Sequence, residues 1–153
     1  KYVILDADAL NSFKNKTKKL LKYLDKNKLI TPHKAEFQRL FPSIKSSLGN
    51  KDKVLKFLKL CKSNILLKGN TTFIGSSKKI IKNSHSSTEL AVIGSGDVLA
   101  GIITSLVGKD KMSILEAAAA GAWLHGDIAK KYGRGLISED LIRGIPSALK
   151  RLK

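Results

Sequence analysis

An α/β fold is the architecture this sequence predicts, and three observations predict it. Short apolar, β-branched runs recur in the first half of the chain, each closed by an acid, a proline or a glycine. The second half carries apolar stripes at helical spacing. In the first half, strand-like and helix-like segments are mixed rather than sorted into blocks, which favours helices packed on a sheet. The 153 residues, 42% of them hydrophobic, suffice for a single domain over 1–153 with its own core. No internal repeat and no linker divides them.

Each element follows from its residues in order. Tyr2–Leu5 reads as a buried strand running into a loop at "DAD". Lys14–Lys28 reads as an amphipathic helix with a solvated lysine face. "LITPHKAEF" is a short strand, a turn at Pro32 and a helix over Lys34–Leu40. In "DKVLKFLKLC", helical spacing puts Val54, Leu55, Leu58 and Cys61 on one face. "NILLKG" is a strand ending in Gly69, and "TTFIG" and "KKIIK" are short strands after it. From Gly96 a helix begins, with Val98, Leu99, Ile102, Ile103 and Leu106 on one stripe. Ser113–Tyr132 forms a second helix, so rich in alanine and glycine that neighbours must approach it closely. Ser138 is placed to cap a last helix, with Glu139 and Asp140 in its first turn. Gly144 and Pro146 should break that helix, Pro146 starting a fresh turn.

The formal net charge of +17 first suggests nucleic acid. The lysines are spread along surface-like positions, aromatics are only 6%, and lysine far outnumbers arginine. That pattern argues against a nucleic-acid partner, while a basic surface still draws in an anionic nucleotide. A single cysteine, Cys61, excludes an internal disulfide and suits a reducing cytoplasm; its place on an apolar helix face makes it a core residue. No run reaches the length of a membrane span, and the first ten residues lack the pattern of a signal peptide.

The chemistry concentrates in "VIGSGDVLAGII". A glycine turn entering a helix leaves backbone N–H groups free at the positive end of the helix dipole, an anion site. Gly94, Ser95 and Gly96 build that turn, and Asp97 stands beside it. A carboxylate repels phosphate, yet it is well placed to take the proton from a hydroxyl that attacks one. The competing reading is an ordinary acid in a favourable first turn. "LLKGNTTFIG" places Lys68 and the hydroxyls of Thr71 and Thr72 at a strand end, against the alternative of a hairpin with a solvent lysine. His33, after Pro32, sits at a strand-to-helix junction, where it faces a cleft or merely caps the helix. Asp6 and Asp8 either face a ligand or Mg²⁺ or form a turn. His85, His125 and Trp123 have no evident partner; Trp123 reads as packing rather than stacking.

Taken in order, "LDADAL", "ITPHKAEFQRL", "LLKGNTTFI", "GSGDVLAGII" and "EAAAAGAWLHGDIA" resemble the ADP- or ATP-dependent NAD(P)H-hydrate dehydratases of the ribokinase-like superfamily. The glycine motif is common to many ribokinase-like kinases; its union with TPH-x-x-E and LKG is far more specific. The resemblance implies a three-layer α/β/α sandwich and repair of hydrated NADH or NADPH. A nucleotide phosphorylates the added hydroxyl, and phosphate leaves to restore the ring. By motif, Asp97 matches the catalytic aspartate that also meets substrate, and Gly94, Ser95 and Gly96 match the anion hole. Lys68, Gly69, Asn70, Thr71 and Thr72, with Gly96, match the nucleotide-binding segments, and His33 matches a substrate contact. ADP or ATP as donor, Mg²⁺ with unassigned ligands, and a homo-oligomer are the implied partners.

Two departures stand out. The family pattern TPH-Pro-Gly-Glu reads Lys34 and Ala35 here. The family's domain also extends further on its N-terminal side, so a fragment, a split-gene product or a remnant completed by a complementing N-terminal chain is expected. A different ribokinase-like kinase acting on a small alcohol or vitamin precursor is the alternative enzyme.

Overall fold

The computed structural model describes residues 1–152. Five strands form one sheet in the order β1-β2-β3-β4-β5: β1 (Val3–Leu5), β2 (Lys28–Ile30), β3 (Asn64–Leu67), β4 (Thr72–Gly75) and β5 (Ile80–Asn83). The first three run parallel; β4 and β5 continue antiparallel. The helices are α1 (Ala7–Asn11), α2 (Thr17–Tyr23), α3 (Lys34–Leu40), α4 (Asn50–Leu60), α5 (Ser95–Gly108), α6 (Ile114–Tyr132) and α7 (Ser138–Lys150).

Strand alternation sorts the helices into two layers. Leu5, Ile30, Ile65 and Leu67 point to one face and pack with Leu10, Leu20, Phe37, Val54 and Phe57 of α1–α4. Leu29, Leu66 and Ile74 point to the other and pack with Leu99, Ile103, Ala117 and Ala118 of α5 and α6. α7 lies outside this second layer, joined through Ile102, Leu124, Ile128 and Leu141. The three-layer α/β/α arrangement is therefore present. At its end, α7 is tied to α6 by Arg151 donating to Asp127 at 2.7 Å.

Several local expectations change. Lys14–Lys28 holds only the seven-residue α2, since Asn15 takes φ +61 and the chain extends again before β2. On α4 the buried face is Lys53, Val54 and Phe57, whereas Leu55 is exposed. Ser138 does not cap α7: Ile137 occupies the cap position, and its N–H donates to the Asp140 carboxylate. α7 also runs unbroken through Gly144 and Pro146. Pro146 is exposed and has no N–H to donate to the Ile142 carbonyl. Gly144 marks a close approach, because a Cβ there would press into the Ile128 side chain.

Candidate active site

Parallel pairing decides which loops meet. β1, β2 and β3 end at the same edge of the sheet, and Asp6, His33 and Lys68 follow their carboxyl ends. That edge is where open α/β sheets hold ligands. Beyond the strands the register carries on: His33 bridges Lys68 in parallel, and the Lys68 N–H donates to the Pro32 carbonyl at 2.9 Å. Two residues 35 positions apart in sequence thus become neighbours through sheet register alone.

The glycine turn arrives at this edge from the other layer. Gly94 takes φ +82, a left-handed conformation that glycine adopts without penalty. α5 begins at Ser95 with no side-chain cap, leaving the Gly96 and Asp97 N–H groups without an intrahelical acceptor. A Cβ at Gly96 would lie 3.3 Å from both Lys68 Nζ and Asp6 Oδ2. Lys68 Nζ donates to Asp6 Oδ1 at 2.8 Å, with both side chains largely buried. An ammonium group and a helix N-terminus therefore converge within one side chain's reach, two sources of positive potential at one spot.

A cleft of about 770 Å³ opens there. His33, Lys34 and Ala35 at the head of α3, Lys68, Gly69, Asn70 and Thr72 after β3, and Ser95, Gly96 and His125 of α5 and α6 line it. A loop from Ser86 to Val92 supplies the remaining wall. Thr72 Oγ1 donates to the Gly69 carbonyl and shapes the Lys-Gly turn. Thr71 and Gly94 do not line the cleft. His33 does double duty: its Nδ1 accepts from the Ala35 and Glu36 amides, capping α3, while half of its side chain stays exposed at the cleft wall. Glu36 completes the box by accepting from the His33 N–H at 2.8 Å.

Asp97 is placed differently. It is exposed in the first turn of α5 and lines a neighbouring groove of about 530 Å³ between α5 and α7. Val98, Ile102, Ile142 and Ile145 make that groove apolar. The helix mouth thus separates two recesses: Gly96 lines the cleft, and Asp97 lines the groove.

Two features escaped the sequence reading. His125 is buried and pairs with Ser95 across a 3.2 Å hydrogen bond. Burial holds its imidazole down to about 4; hydrogen bonding to the Ser95 backbone opposes this, and the Lys68 charge adds to it. Trp123 stacks on His85 with ring centroids 5.1 Å apart instead of packing inward, and His85 also meets Asp127. Of the two early acids only Asp6 reaches the site; Asp8 is exposed in α1. Among the described residues no group of three or more His, Cys, Asp or Glu is arranged to hold a metal by itself, and no helix is long and apolar enough to cross a membrane.

A family model described as NAD(P)H-hydrate dehydratase matches residues 1–146. The ADP-dependent (S)-NAD(P)H-hydrate dehydratase of Neisseria meningitidis serogroup B is 40% identical over 134 residues, covering 84% of this chain and 45% of that protein. A bifunctional NAD(P)H-hydrate repair enzyme of Thermosynechococcus vestitus is 34% identical over 97% of this chain and 30% of its own length. The chain spans about half or less of these relatives. Among solved structures, a ribokinase-like superfamily protein from Enterococcus faecalis superposes with TM-score 0.82 at 22% identity, over 99% of this chain and 53% of that one. An ADP/ATP-dependent NAD(P)H-hydrate dehydratase from Bacillus subtilis, co-crystallized with ATP/Mg²⁺, superposes at 0.76 and 24% identity, over 99% of this chain and 57% of that one.

Proposed function

This chain belongs to the NAD(P)H-hydrate dehydratase family, and from that premise we propose that its cleft binds ADP or ATP and that Asp97 acts on hydrated NADH or NADPH. The observation that carries the reading is the meeting of Lys68, the Gly96 amide and His33 at one sheet edge. Lys68, Gly69, Asn70 and Thr72 hold the nucleotide, with Thr71 set back from the cleft; Gly94, Ser95 and Gly96 form the turn, and the free Gly96 and Asp97 amides at its helix end receive the transferred phosphate. His33, which lines the same cleft, contacts substrate.

The two recesses suit a phosphoryl transfer. A nucleotide in the cleft presents its terminal phosphate to the α5 mouth, while an acceptor hydroxyl reaches Asp97 from the groove side. Donor and acceptor then flank the same amides, as an in-line displacement requires. Asp97 takes the hydroxyl proton, and the amides with Lys68 neutralise charge that builds on the phosphoryl oxygens. Departure of the new phosphate, with loss to solvent of a proton from the adjacent ring carbon, forms the double bond that restores the dihydronicotinamide ring. Mg²⁺ usually keeps one or two carboxylates and takes its other ligands from phosphates and water. Asp6 is the carboxylate beside the Lys68–Gly96 corner, so its donor set fits such an ion, which would offset phosphate charge.

Longer relatives carry further chain, and that remainder of the domain, in the same polypeptide or a complementing one, would wall the acceptor side. A homo-oligomer and a cytoplasmic setting belong to the same proposal. The test supplies hydrated NADPH with ADP or ATP and follows recovery of reduced-ring absorbance. Nucleotide-dependent recovery that Asp97→Asn abolishes is the expected result. Accumulation of a phosphorylated alcohol without ring recovery would instead assign a small-alcohol kinase.

A further inference from the structure

The α5 side of the cleft is organised by two adjacent residues of α6. His125 and Gly126 lie side by side near the middle of that helix. His125 Nε2 meets Ser95 Oγ at 3.2 Å, with Ser95 and His125 only 4% and 5% exposed. Ser95 is the first residue of α5, and the next residue, Gly96, lines the cleft with its N–H free of any intrahelical acceptor. Gly126 receives the backbone of the loop: a Cβ there would stand 2.9 Å from the His85 carbonyl carbon and 3.3 Å from Ser86 Cα, with the carbonyl oxygen closer still. That loop continues into the Ser86–Val92 wall. One helical step therefore docks both the glycine turn and the wall segment that leads into it.

We propose that His125 is a positioning residue for the phosphate mouth: through Ser95 it fixes the first turn of α5, so that the Gly96 and Asp97 amides are aimed before any anion arrives. α5 has no side-chain cap of its own, and this bond, reaching in from another helix, restrains its entry. Preorganised donors are what such a mouth needs, since donors that must be ordered at the moment of reaction lose much of their effect. Burial beside Lys68 keeps the ring uncharged, so it serves as a hydrogen-bond partner without competing for phosphate. The proposal rests on the nucleotide reading of the cleft for its purpose, though its structural content does not.

Two readouts separate those layers. Hydrogen exchange of the Ser95–Val98 amides tests the clamp without ligand, and ADP affinity by calorimetry tests its use. His125→Leu should speed exchange of that segment on the order of tenfold, as expected for loss of one buried hydrogen bond. It should weaken ADP binding on a similar scale. His125→Gln, whose amide reaches where Nε2 lies, should recover most of both. Ser95→Ala, a smaller change that spares α6, should reproduce the exchange effect and add little to His125→Leu. Unchanged exchange in His125→Leu and Ser95→Ala would overturn the proposal, as would equal losses in the Leu and Gln variants. Faster exchange in a chain that binds no ADP at all would leave the clamp standing and remove the nucleotide reading.

Discussion

Alanine at position 126 is the sharpest perturbation of the cleft. In a free helix interior, glycine to alanine stabilises by about 1 kcal/mol. At Gly126 the new methyl would meet backbone: the His85 carbonyl carbon at 2.9 Å and Ser86 Cα at 3.3 Å. Ordinary contacts begin near 3.4 Å, and the carbonyl oxygen lies nearer than either atom. The loop must therefore retreat by well over an ångström, an overpacking cost of about 2–3 kcal/mol, the upper end of the usual range. Gly101, exposed on α5 with nothing within 4 Å of a built Cβ, is the internal control. Urea denaturation should show Gly126→Ala destabilised by about 1–2 kcal/mol net and Gly101→Ala stabilised by about 0.5–1 kcal/mol. ADP affinity should fall in the first and hold in the second. A Gly126→Ala protein as stable as Gly101→Ala would refute the claim that the loop packs directly on α6.

The remaining expectations are more local. Asp97→Asn should cut ring recovery by about 10²–10⁴-fold while ADP affinity, read by calorimetry, stays within a few-fold. Lys68→Met removes the ammonium and leaves Asp6 unpaired at the mouth, so ADP binding should weaken by about 1.5–3 kcal/mol. His125 titrates about 4 in the fold against an ordinary 6.5, so the unfolded chain takes up the proton first as pH falls. Its share of stability is whole above 6.5 and lost progressively down to about 4; that share is on the order of 3 kcal/mol. Denaturation midpoints across that window should slope in the wild type and flatten in His125→Leu.

Much of this architecture was legible because strand and helix periods are local signals. The runs "VIL", "NILL" and "TFIG" declare strands by composition, and the motifs near Lys68 and Gly96 mark a candidate site by residue type. What the sequence hid was relational. Nothing near His33 announces Lys68, because their contact comes from the register of β2 on β3. Nothing in "LHGD" announces that His125 meets Ser95, because that depends on how α6 crosses α5. The break expected at Gly144 and Pro146 failed for a similar reason: the glycine serves packing on Ile128, and packing outweighs a local propensity to end the helix. Asp97 lies in the first turn of α5, but its place on the α5–α7 groove follows from helix rotation, which a motif does not record.

The central claim is that phosphate lands on the amides at the head of α5. It is tested most directly by titrating the isotope-labelled chain with ADP and, separately, with adenosine, while following the amide resonances of Gly96 and Asp97. The account predicts large, saturable shifts of both amides with ADP and small ones with adenosine, which lacks the phosphates. Equal responses to the two ligands, or ADP shifts that bypass these amides, would contradict it.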